Sequence, residues 1–87
     1  MAEFSRLEPS QREAFMAAVA LLVVDLRAGG SPRPSLRVKR VVTHPGVWEI
    51  SWAADGRATF NYGDEVIPGE RHIIWRRIGT HDIFGNP

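Results

Sequence analysis

The stretch "PSQREAFMAAVALLVVDLRAGGSPRP" (residues 9–34) limits what this chain can become more than any other. Every residue from Ala14 to Val24 is apolar, and polar residues bound the run on both sides. Ser10 is placed to N-cap a helix, with Glu13 three residues on to complete a capping box. Gly29 and Gly30 stop that helix, and Pro32 and Pro34 keep it from resuming. The expected element is one long helix within residues 9–30. Its middle is apolar almost all round, so it is covered on more than one side. The cover is either the chain's own sheet and termini or a partner chain, a homodimer through the apolar helix being one form.

The same run is about half the length that spans a bilayer. Glu3, Glu8 and Glu13 precede it, which is the wrong flank for a signal peptide, and no small-residue cleavage pattern follows. No membrane association is expected. The chain has no cysteine. That excludes disulfides, thiolate nucleophiles and cysteine-based zinc sites, and a reducing cytoplasm is the expected compartment. At 87 residues the chain fits one domain, 1–87, with a modest core.

Beyond the prolines the apolar period changes from that of a helix to two. "LRVKRVV" (36–42) sets Leu36, Val38 and Arg40 against Arg37, Lys39 and Val41. It reads as a strand with one basic face, or as a second short helix. "VWEISW" (47–52) puts Trp48, Ile50 and Trp52 on one face. "AADG" turns the chain, with Asp55-Gly56 as a hairpin signal. "RATFNY" (57–62) returns with Ala58, Phe60 and Tyr62 inward. "GDEVIPGE" is an acidic loop, and "HIIWRRI" (72–78) is the last strand. Helix followed by strands gives α+β: an N-terminal helical layer packed on a small antiparallel sheet of three to four strands.

Lys and Arg number 11 against 10 Asp and Glu. The total charge announces no nucleic-acid binder, but its distribution is uneven. Arg33, Arg37, Lys39 and Arg40 form one group, Arg71, Arg76 and Arg77 another. A basic stripe is possible, as is an ordinary mixed surface. His44, His72 and His81 have no helical zinc spacing, so no metal is expected. Nor is there a phosphate-binding glycine loop or a serine-nucleophile turn, and no cofactor is expected.

What remains is Arg57, Arg76, Arg77 and His81, with Glu49 and His44 as further candidates; Arg57 starts one strand, and His81 lies just past the last. If those strands are neighbours, both reach one rim of the sheet. An imidazole moves a proton near neutral pH, and a guanidinium holds charge developing on phosphorus oxygens. The pair suits metal-free RNA cleavage, in which the substrate's 2′-hydroxyl attacks and Phe84 stacks on a base. Each residue also has a plainer reading. Arg57 can close a hairpin beside Asp55, and His81 can pair with Asp82. Arg76 and Arg77, being adjacent, should point to opposite faces. The three tryptophans are expected in the core.

"SLRVKRV", "GVWEISW", "DGRATFNY" and "HIIWRRIGTHDIFGNP", in this order, resemble the RelE/ParE superfamily of bacterial toxins over about residues 35–84. The resemblance implies a RelE-like helical layer on an antiparallel sheet. It implies the toxin of a type II toxin–antitoxin system, an endoribonuclease (mRNA interferase) cutting mRNA on the ribosome. By the same resemblance Arg57 is the phosphate stabiliser, His81 the general acid or base, and Phe84 the stacking residue. Arg37, Lys39, Arg40, Arg76 and Arg77 are candidates for RNA binding, and a cognate antitoxin is the expected protein partner. Many ribosome-dependent members carry lysines on the strand that here reads "WEISW", where this chain has Glu49 and Ser51. Other branches bind DNA gyrase and cut nothing. A binding module without nuclease activity is therefore the alternative.

Overall fold

In a computed structural model of the chain, residues 2–64, 68 and 71–87 are described. The acidic loop expected at 63–70 lies largely outside them. Two helices come first, α1 (Ala2–Arg6) and α2 (Pro9–Arg27). Four strands follow: β1 (Lys39–Arg40), β2 (Trp48–Ser51), β3 (Gly56–Gly63) and β4 (His72–Thr80). One 3₁₀ turn, Pro34–Leu36, precedes the sheet and another, His81–Gly85, follows it. The sheet is antiparallel with its strands in chain order. The architecture is the expected α+β.

α2 starts two residues earlier than the Ser10 reading. Glu8 is the N-cap, Pro9 takes the first helical position, and the Gln11 side chain accepts from the Glu8 amide at 2.9 Å. Proline suits that first position because its missing N–H has no intrahelical partner there anyway. At the other end Gly29 takes φ +74°, the left-handed cap that glycine adopts without strain. Arg33 then donates to Asp25 from its main chain at 2.8 Å and from its guanidinium at 2.8 and 2.9 Å. That fixes the corner between α2 and the sheet.

Phe15, Ala18 and Leu22 of α2 bury against Leu36, Ile50, Ala58, Phe60 and Ile78. Phe15 meets the Trp75 ring edge-on at 5.1 Å and Trp52 at 6.2 Å. All three tryptophans pack on this core, as expected of a small sheet that needs aromatic filling. Leu22 is fully buried, so its side chain alone is worth about 1.5–3 kcal/mol of apolar transfer. The core covers only one side of α2. Met16, Leu21 and Val24 are exposed, so the expected burial on several flanks is not met within one chain.

The basic strand at 36–42 is reduced to two residues. Leu36 closes the 3₁₀ turn, and Arg37 sits at φ +49°, outside any strand. Lys39 and Arg40 then point to opposite faces: Lys39 pairs with Glu49 at 3.6 Å, while the Arg40 guanidinium lies over the Trp48 ring at 5.2 Å. No single basic face forms there.

β4 departs from strict alternation. Thr59 pairs with Arg77 but Phe60 with Trp75, which leaves Arg76 as an extra residue in a bulge. A bulge changes which side the following residues face. The core therefore takes Trp75 before it and Ile78 after it. Arg76 and Arg77, expected on opposite faces, both reach the tail. Arg76 Nε donates to the Pro87 main-chain oxygen at 3.1 Å, and Arg77 Nη1 to that of Asn86 at 3.0 Å. The fully buried Thr59 hydroxyl donates to the same Pro87 oxygen at 2.9 Å. Residues 86–87 are thus bound across the face of the sheet that α2 leaves open.

Candidate functional site

Pairing of β3 with β4 brings the two residues singled out for chemistry to one rim. Gly56 lies opposite Thr80, and Arg57 opposite Gly79. The turn before β3 and the 3₁₀ turn after β4 are therefore side by side. Thr80 caps the latter, its hydroxyl accepting from the Asp82 amide at 3.4 Å. His81 comes next, and its Nδ1 lies 2.7 Å from Asp55 Oδ1 in the neighbouring turn. Its Nε2 lies 3.4 Å from Asp82 Oδ1. The sequence pairs His81 with the adjacent Asp82, but the closer partner is Asp55.

This arrangement favours the charged ring. The hydrogen bond to Asp55 raises the His81 pKa above the ordinary histidine value, with the Asp55 and Asp82 charges adding to it. Asp55 is held below the usual carboxylate range by the same bond, with Arg57 contributing its charge. The Arg57 charge opposes protonation of His81. Arg57 is thus electrostatically within reach of both. An imidazolium anchored at Nδ1 presents its other nitrogen as a proton donor.

Arg57 also has a local role. Its Nη1 donates to the main-chain oxygens of Gly56 at 2.9 Å, Ala53 at 3.2 Å and Ala54 at 3.3 Å. The guanidinium folds over the turn that carries Asp55. With Arg37, Ser35, Ser51 and Trp52 it lines a cleft of about 660 Å³ beside α2. Phe84 is half-buried in the last 3₁₀ turn. Residues three apart eclipse in such a turn, which sets Phe84 on the same side as His81.

The other cations disperse. Arg37 borders the cleft, Lys39 is paired with Glu49, and Arg40 lies on Trp48. Arg76 is held by Pro87 and, at 3.0 Å, by Asn61. Arg77 makes an ion pair with Glu3 of α1 at 2.9 Å, which depresses the Glu3 pKa. His44 sits in the β1–β2 turn, and His72 opens β4 opposite Gly63; both are at the far end of the sheet from His81. Among the described residues no cluster of histidines and acids could hold a metal ion. Nor is any described helix long and apolar enough to cross a membrane.

Asp55 is the residue that sequence reasoning placed in a turn and no further. Its signal was the Asp-Gly pair. The hairpin is there, but Gly56 has no left-handed backbone. A Cβ on it would lie 2.5 Å from the Trp52 ring. The glycine is a packing requirement, and the aspartate is what the turn displays. No known protein family, curated protein or solved structure matches the chain.

Proposed function

We propose that the chain is a RelE-like toxin of a type II toxin–antitoxin pair that cleaves mRNA without a metal. The observation that carries this reading is the His81 ring anchored on Asp55 at 2.7 Å with Arg57 beside it. In the reaction the 2′-oxygen of RNA bonds to phosphorus and the bond to the 5′-oxygen breaks. The protonated His81 gives its Nε2 proton to the departing 5′-oxygen, and the 2′-hydroxyl proton goes to solvent. Arg57 stabilises the charge on the non-bridging oxygens. Phe84 stacks on the exposed base. Proton transfer of this kind contributes about 10²–10⁴-fold. The ribosome supplies the mRNA, and a cognate antitoxin restrains the toxin in the cytoplasm.

A second reading has its own support. Arg57 Nη1 is engaged by three turn carbonyls and Arg77 by Glu3, so these arginines also serve the scaffold. In this reading the chain is a binding module that inhibits gyrase or joins a complex. Induced expression of wild type, His81→Ala and Arg57→Ala, with growth and mRNA 5′ ends followed together, separates the two. Arrest with new 5′ ends, lost in variants that keep the wild-type circular dichroism, is expected. Arrest without cleavage rules out the nuclease reading, and cleavage that survives His81→Ala rules out His81 as its general acid.

A further inference from the structure

α2 shows two apolar faces with different fates. Phe15, Ala18 and Leu22 enter the core. On the other side Met16, Ala17, Ala20, Leu21 and Val24 are all exposed, Met16 by 51% and Val24 by 58%. This stripe begins at Glu13 and ends at Arg27, both exposed. Positions 13, 17, 20, 24 and 27 are spaced alternately by four and three residues, the seam of a helix that packs along another helix.

We propose that this stripe is a homodimer interface, with α2 of two copies antiparallel about a twofold axis near Ala20. The charges select the occupant. Residues 13 and 27 lie equally far along the helix from Ala20. An antiparallel copy sets Glu13 of one chain across from Arg27 of the other at both ends. A parallel copy would oppose like charges. The stripe is therefore complementary to itself, which is what an isologous twofold contact requires. Ala17 and Ala20 at the centre let two backbones approach to about 8 Å, with Met16, Leu21 and Val24 closing the sides.

The contact also extends beyond the helix. The groove on one side of the stripe is the α2 wall of the cleft that Arg57 borders, lined there by Ala17, Leu21, Leu36 and Trp52. The groove on its other side is lined by Phe4, Met16, Val19 and Trp75. A stable interface covers about 800 Å² per partner, more than a single helical stripe provides, and these flanks supply the rest. Pairing here leaves the opposite face of the sheet, with Thr59, Arg76 and the tail, open in both copies. The inference does not depend on nuclease activity.

Sedimentation velocity of the full chain over a concentration series tests it, alongside Ala20→Glu, Glu13→Arg, Arg27→Glu and the double reversal Glu13→Arg/Arg27→Glu. Circular dichroism confirms that each variant is folded. A wild-type dimer is expected. Ala20→Glu, which sets two carboxylates at the axis, should leave only monomer. Each single reversal should weaken the dimer by roughly tenfold in Kd, and the double reversal should restore it. A wild type that stays monomeric to roughly millimolar concentration overturns the proposal, including the case where another protein or a lipid vesicle takes the face. So does a dimer indifferent to Ala20→Glu, or one in which the double reversal is no better than the singles.

Discussion

Gly56→Ala tests whether the turn that displays Asp55 is set by packing. An added Cβ would stand 2.5, 2.6 and 2.8 Å from Cδ2, Cε2 and Cε3 of Trp52. Carbon atoms in ordinary contact are about 3.5–4.0 Å apart, so roughly 1 Å must be found. Trp52 cannot easily yield it. Its ring stands edge-on to Phe15 at 6.2 Å, and its Nε1 is buried. Overpacking of this kind costs about 1–3 kcal/mol. Replacing glycine also removes freedom from the unfolded chain, which returns about 0.4–1 kcal/mol. The net loss corresponds to a Tm lower by about 5–15 °C in a domain of this size. Calorimetry measures it directly. Gly30→Ala is the control: nothing lies within 4 Å of its Cβ and its φ is not positive, so Tm should hold or rise slightly. In a Trp52→Leu background the Gly56→Ala penalty should shrink. A Gly56→Ala protein that melts with the wild type, or that loses as much without the tryptophan ring, would refute the packing argument.

Two further outcomes follow from the same rim and tail. His81 should titrate above the ordinary histidine value of 6.5 by NMR, and Asp55→Asn should bring its midpoint down, because the bond to Asp55 is the main cause of the shift. The sign for stability follows: the raised pKa contributes fully below the unfolded value, and that contribution is lost as pH rises through the folded one. Asp55→Asn should flatten stability over that window, and an unmoved midpoint would count against the pair. Thr59→Val removes the hydroxyl that holds Pro87 while keeping the shape, so it should cost about 1 kcal/mol. A neutral Thr59→Val in thermal unfolding would mean the tail is held by the arginines alone.

Local chemistry made the long helix, its glycine stop, the order of the strands and the β3–β4 rim readable. Each depends on residues near in sequence or on a period of two. The long-range polar contacts were not readable. Glu3 and Arg77 are far apart in the chain, and nothing in either neighbourhood marks them as partners. Asp55 marks a turn and His81 a strand end in the sequence, but only strand register puts their side chains within 2.7 Å. The residues around Lys39 misled for a different reason. Alternation allows a seven-residue strand or a second short helix, and the chain enters through a proline-led 3₁₀ turn and a left-handed Arg37. Only two residues are left to pair.

The bulge in β4 carries the most consequence for function, and its trace is in the sequence. Ile73 and Trp75 are apolar at odd positions, then Ile78 at an even one. Strict alternation would send Arg77 towards the core and Ile78 away from it. Burying a guanidinium there would require a partner the core does not contain. Inserting Arg76 as an extra residue resolves the conflict by changing phase in mid-strand. The result is two guanidiniums bound to one segment, Asn86–Pro87, in place of a single exposed arginine. A phosphate that approaches this face therefore meets donors already holding main-chain oxygens and must compete with them. At the rim the competitor for His81 Nε2 is the Asp82 carboxylate, longer at 3.4 Å and on an exposed side chain that can swing aside, not a main-chain oxygen. That difference is why the chemistry is assigned to the rim and not to the arginine pair that the sequence makes more conspicuous.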